Sequence, residues 1–89
     1  MTTMFVRHTV SDYKTWRKAY DDFAPVQKAK GVTAQAVYRA ADNPNDITVT
    51  HEFASIEAAQ AFASSAELKS AMQNAGVAGA PTIWFASKA

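Results

Sequence analysis

The chain has 89 residues, no cysteine, nine Lys and Arg against eight Asp and Glu, and a formal net charge of +1. Disulfides, thiolate chemistry, iron–sulfur clusters and Cys-type zinc sites are excluded. So is the clustered basic stripe of a nucleic-acid binder, because Arg17-Lys18 and Lys28/Lys30 are the nearest approach to one. Of 43 hydrophobic residues 19 are alanine, which leaves 24 large apolar or aromatic side chains. A chain of this size buries only about 60–65% of its unfolded surface. Small single cores usually need a staple, a metal or a partner subunit, so a homodimer is expected. No apolar run approaches the roughly 18–20 residues that cross a bilayer, and the opening MTTMFVRHTV lacks the layout of a signal peptide. The expectation is one domain over residues 1–89, cytoplasmic, without a membrane or nucleic-acid partner and without a cofactor.

Met4 to Val10 alternates with period two, Met4, Val6, His8 and Val10 on one face and Phe5, Arg7 and Thr9 on the other, which predicts a strand. Ser11 and Asp12 then offer N-cap side chains to a helix. Its stripe is Tyr13, Trp16, Tyr20, Phe23 and Val26, spaced by three or four residues. Pro25 kinks or restarts this helix, and Gly31 is its C′ residue. Val32–Ala41 predicts a second strand, with Val37 and Tyr38 on opposite faces. Asp42–Asp46 is dense in turn formers and predicts a hairpin loop.

Ile47–Ala54 predicts a third strand with Ile47, Val49, His51 and Phe53 on one face. Ser55 caps a helix through Ile56, Ala59 and Phe62, and Ser64 with Glu67 has capping-box spacing for a further segment ending at Gly76. Gly76–Pro81 then reads as a connector to a last strand over Pro81–Ser87, with Ile83 and Phe85 opposite Thr82 and Trp84. The resulting fold class is α+β. The β-α-β-β-α-β order specifies the ferredoxin-like split arrangement, a four-stranded antiparallel sheet with both helices on one face. Its other face is bare, and that is where the partner subunit belongs.

Chemistry concentrates in the two histidines. Alternation places His8 and His51 on the helix side of the first and third strands, which are central neighbours, and so close enough to interact. With an ordinary pKa of about 6.5, imidazole is the usual acid or base near neutrality. The same placement also suits hydrogen-bonded interior histidines with no catalytic role. A metal site lacks a third ligand, since Glu52 faces away from His51. Trp16, Tyr20, Tyr38, Phe53, Phe62 and Trp84 are the candidates to line a pocket for a flat aromatic ligand, while the alanines of the second helical region leave space that forms its roof or permits tight packing. No Gly-rich phosphate loop and no nucleophile elbow occur.

Val6-Arg7-His8 followed by Asp12-Tyr13-x-x-Trp16, the hairpin Ala41–Asp46, and Glu67-Leu68-x-x-Ala71-Met72-x-x-Ala75-Gly76-Val77 resemble small bacterial proteins of the dimeric α/β-barrel superfamily, antibiotic-biosynthesis-monooxygenase-like or cyclase-like. The resemblance implies that two protomers pack their bare sheet faces into a barrel and that each holds a pocket between helices and sheet. It also implies an enzyme without a cofactor, a monooxygenase or cyclase acting on an aromatic or polyketide-like substrate. His8 matches the first-strand histidine of the cyclase branch. The Tyr and His of that branch's second helix are replaced here by Phe62 and Leu68. In the monooxygenase branch Asn, Trp and Tyr deprotonate an electron-rich phenol, and Trp16, Tyr20, Tyr38 and Trp84 are the residues available for that work. The second reading is a non-enzymatic homodimer that binds a small hydrophobic molecule.

Overall fold

The computed structural model describes residues 1–89 in the order β1 (Thr2–Val10), α1 (Tyr13–Asp22), α2 (Ala24–Ala29), β2 (Ala34–Ala40), β3 (Asn43–Phe53), α3 (Ile56–Ala63), α4 (Ala66–Asn74) and β4 (Val77–Ala86). The sheet order is β2-β3-β1-β4, antiparallel throughout. This is the ferredoxin-like α+β arrangement expected from the strand order. Alternation decides the faces. Met4, Val6, His8 and Val10 of β1 and Ile47, Val49, His51 and Phe53 of β3 are buried beneath the helices. Phe5, Arg7, Thr48, Thr50 and Glu52 occupy the open side.

Each predicted helical region resolves into two helices. Asp12 caps α1 by accepting from the Thr15 amide at 3.1 Å. The helix is interrupted at Phe23, and Pro25 enters α2 in its first turn, where a missing N–H costs nothing. At the second break Ser65, not Ser64, caps α4, accepting from the Leu68 amide at 3.2 Å. The Ser64 hydroxyl instead donates back to the Gln60 carbonyl at 3.0 Å. Glu67 therefore falls one position short of a capping box and pairs with Lys30 at 2.8 Å. Gly31 has φ +98° and follows α2 as the left-handed residue its position requires.

Both hairpin-side expectations are corrected in the same way. The tight turn is Ala41-Asp42, and β3 begins at Asn43 rather than Ile47. Pro44, Asn45 and Asp46 form a bulge, because pairing with β2 jumps from Arg39↔Ile47 to Ala40↔Asn43. The Asn45 amide donates to the Asn43 side chain at 3.1 Å, so the turn chemistry is present but inside the strand. Likewise β4 begins at Val77, not Pro81: its ladder on β1 skips from Thr9↔Ala78 to Arg7↔Thr82. Gly79, at φ +72°, and Pro81 occupy the skipped stretch opposite His8.

The core divides into two clusters. One joins Met4, Val6, Phe53, Ala59, Phe62 and Leu68 under α3 and α4. The other joins Val10, Trp16, Tyr20, Ile47, Val49 and Ala75 under α1. Phe62 is 1% exposed and its ring lies 5.5 Å from Phe53. Phe62→Ala should cost about 3–5 kcal/mol, read as a lower urea midpoint at unchanged slope; a loss under 1 kcal/mol would show that this cluster is not a keystone of the fold.

Candidate functional site

A small cavity of about 40 Å³ lies at the seam between the two clusters. Its floor is Val6 and Val49, one wall is Trp16, Ala19, Tyr20, Phe23 and Gln27, and the other is Leu68, Ala71, Met72 and Ala75, with His8 and His51 completing it. Helix geometry explains the first wall: positions 16, 20, 23 and 27 fall on one stripe of the α1–α2 path. The alanines of α4 supply the open space. Met72 also borders a second, open groove of about 560 Å³ between α4 and β4, lined in part by Ser65, Lys69, Val77 and Ile83.

Of the sequence-predicted residues, His8, His51, Trp16 and Tyr20 come together here. The Trp16 ring lies 5.6 Å from His8 and 4.9 Å from Tyr20, and Tyr20 lies 6.1 Å from His51. The imidazoles themselves are not neighbours. His51 is opposite Met4 and His8 opposite Ile47, with Val6↔Val49 between them, an offset of four residues or roughly 13 Å along the strands. They mark the two ends of one elongated site. Phe62 packs on the His51 ring at 5.4 Å from behind, and Phe53 is fully buried without bordering the cavity. Tyr38 and Trp84 lie elsewhere, on the open sheet face, 58% and 40% exposed. Their neighbours in sequence, Val37, Ile83 and Phe85, take the helix side, and strand alternation sends these two the other way. Trp84 stacks on Phe5, centroids 5.2 Å apart.

Gln27 was not anticipated. It is 2% exposed, and its sequence signal was a polar residue seven positions after Tyr20 and four after Phe23, on the apolar stripe. Both ring nitrogens of His8, Nδ1 of His51 and Oε1 of Gln27 are buried without a hydrogen-bond partner. Such atoms are rare and costly when nothing answers them. The remaining nitrogen of His51, Nε2, is 3.4 Å from the Tyr20 hydroxyl, which itself donates to Oε1 of Gln35 on β2.

Burial governs protonation. It pushes His51 down to about 4 and the Tyr20 phenol up to about 12. His8 is also lowered by burial, but the Asp46 carboxylate opposes the shift. That carboxylate is on the open face, held below the usual range by its hydrogen bond to Arg7, at 2.7 Å. Both imidazoles are thus neutral at pH 7, and His8 is the easier to protonate. No group of three or more His, Asp or Glu side chains is placed to hold a metal ion.

A family model described as antibiotic biosynthesis monooxygenase matches residues 6–74. No curated protein sequence matches the chain significantly. Among solved structures, a Bordetella bronchiseptica protein assigned provisionally as an antibiotic biosynthesis monooxygenase superposes with TM-score 0.83 at 15% identity, covering 99% of this chain and 96% of that one. SnoaB, a cofactor-independent oxygenase from Streptomyces nogalater, gives 0.79 at 11% identity over 99% and 92%. A provisionally assigned monooxygenase from Caulobacter crescentus gives 0.77 at 20% identity over 99% and 89%. At these identities the likenesses establish the shared fold.

The histidine burial has a measurable consequence. The unfolded chain takes up protons near the ordinary pKa of about 6.5, whereas folded His51 resists until about 4. Stability should therefore fall as pH drops through that window, by on the order of 3 kcal/mol from His51 alone. Thermal melts of His51→Phe should lose less between pH 7 and pH 5 than those of the wild type; equal losses would remove His51 as the cause.

Proposed function

The chain belongs to the antibiotic biosynthesis monooxygenase family, and from that premise we propose that it is a cofactor-independent monooxygenase acting on an electron-rich, elongated aromatic hydroxyl compound in the cavity beneath α1 and α4. The observation that carries this reading is the set of unpartnered buried polar atoms on His8, His51 and Gln27, all bordering one apolar, aromatic-walled cavity. An apolar space with a few convergent polar groups is the usual form of a small-molecule site. The roughly 13 Å between the histidines along the strands matches a fused-ring ligand bearing polar groups at both ends.

His8 is the base in this scheme, because proton uptake there is supported by Asp46 and at His51 by no charge. It takes the hydroxyl proton, and the resulting aryloxide transfers an electron to dioxygen. The ring radical and superoxide combine to form a C–O bond at a ring carbon bearing hydrogen. Loss of water then leaves a second carbonyl, so one oxygen atom ends in the quinone and one in water. The substrate itself is the reductant. Trp16 and Tyr20 hold the ring, and His51 accepts a hydrogen bond from its far end. A cavity of about 40 Å³ holds only a few waters, so entry requires Met72 to swing aside and join the cavity to the groove of about 560 Å³. The same reading includes a homodimer through the open sheet face, where Trp84 and Tyr38 are exposed and Phe5 is half-buried beneath Trp84.

The small volume of the cavity and the low pKa of His51 favour a second reading, a homodimeric protein that binds an aromatic molecule without transforming it. Dioxygen uptake with an anthrone-type phenol or hydroquinone separates the two. His8→Gln should retain its circular dichroism spectrum and lose about 10²–10⁴-fold in turnover, whereas tight binding with no oxygen uptake by the wild type selects the second reading. Met72→Ala should accelerate ligand association; an unchanged on-rate would place the entrance elsewhere. Sedimentation should give about twice 9.6 kDa, and Trp84→Asp should shift it toward the monomer; a monomeric wild type would remove the dimer.

A further inference from the structure

Resting on the ligand site just proposed, we infer that Gln35 is a positioning residue that sets which nitrogen of His51 is bare, and so selects ligands presenting a hydroxyl rather than a carbonyl or ether oxygen at that end. Gln35 lies on β2 directly across the register from His51. It is exposed and does not border the cavity, so its effect is transmitted, not direct.

The transmission follows from counting protons. A phenol has one hydrogen to give, and that of Tyr20 is donated to Oε1 of Gln35, an atom that can only accept. The Tyr20 oxygen is left to accept, and its other polar neighbours are the Gln27 side chain and Nε2 of His51, the latter at 3.4 Å. A neutral imidazole carries one N–H, and this arrangement places it on Nε2. Nδ1 of His51 is then a lone pair, buried and without a partner. Only a donor can answer it. Oε1 of Gln27, also unpartnered on the cavity wall, asks for a donor as well. Replacing Gln35 by an apolar residue frees the Tyr20 hydrogen to turn to Nε2, moves the imidazole proton to Nδ1, and converts an acceptor into a donor.

The tautomer of His51 is read directly from ¹⁵N shifts of the ligand-free protein at pH 7. The wild type and Gln35→Glu, whose carboxylate also accepts from Tyr20, should show Nε2–H, and Gln35→Leu should show Nδ1–H. An Nδ1–H wild type, or a Gln35→Leu variant with an unchanged tautomer, overturns the relay. Selection is read with 2-naphthol and 2-methoxynaphthalene, which differ in whether the oxygen donates. The wild type should prefer the naphthol about tenfold in Kd, Gln35→Glu should keep that preference, and Gln35→Leu should lose it. Equal preference in wild type and Gln35→Leu, with both probes bound, overturns the selection and leaves the proposed function standing. Failure of both probes to bind any form overturns the selection together with the ligand site, while the tautomer result still decides the relay.

Discussion

Everything in this molecule depends on the register of β1 against β3, in which Val6 faces Val49. Because side chains alternate along a strand, a slip of β1 by one residue would turn Met4, Val6, His8 and Val10 to the bare face and part His8 from His51. In the native register those residues meet α1 and α4 instead. The valine pair becomes the floor of a cavity and the histidines its ends. Trp16 and Tyr20, one turn apart on α1, each face one of them.

Where the pattern is periodic, the sequence was legible. Alternation assigned the faces of β1 and the inner half of β3, and three-to-four spacing assigned Trp16 and Tyr20 to the wall above them. The starts of β3 and β4 were hidden by Pro44, Gly79 and Pro81, which signal loops but sit here in bulges of continuous strands. Distance was hidden too: parity says that two imidazoles share a face, and only the register says how far apart along it. Tyr38 and Trp84 entered the candidate site as aromatics, although parity with Val37, Ile83 and Phe85 already sent them to the other side. Gln27 and Gln35 carry no motif. Their importance arises from what lies opposite them, on elements distant in sequence.

The two faces of the sheet are chemically opposed but not independent. One is uncharged and nearly dry, the other carries an ion pair between Arg7 and Asp46. A sheet is a single backbone thick, so the field of Asp46 reaches His8 from behind and distinguishes it from His51, which has no such support. Two histidines on one face thus acquire different chemistry from residues that neither touches.

The placement of the two tryptophans gives the chain a built-in pair of optical reporters. Trp16 is 3% exposed, beside His8 in the cavity wall, and Trp84 is 40% exposed on the opposite side of the sheet. Indole emission shifts to the blue in an apolar surrounding and is quenched by nearby imidazolium, so the buried fluorophore records events under the helices and the uncovered one records what meets the bare strands. Events on the two sides of a sheet one backbone thick can be followed separately, without any added label.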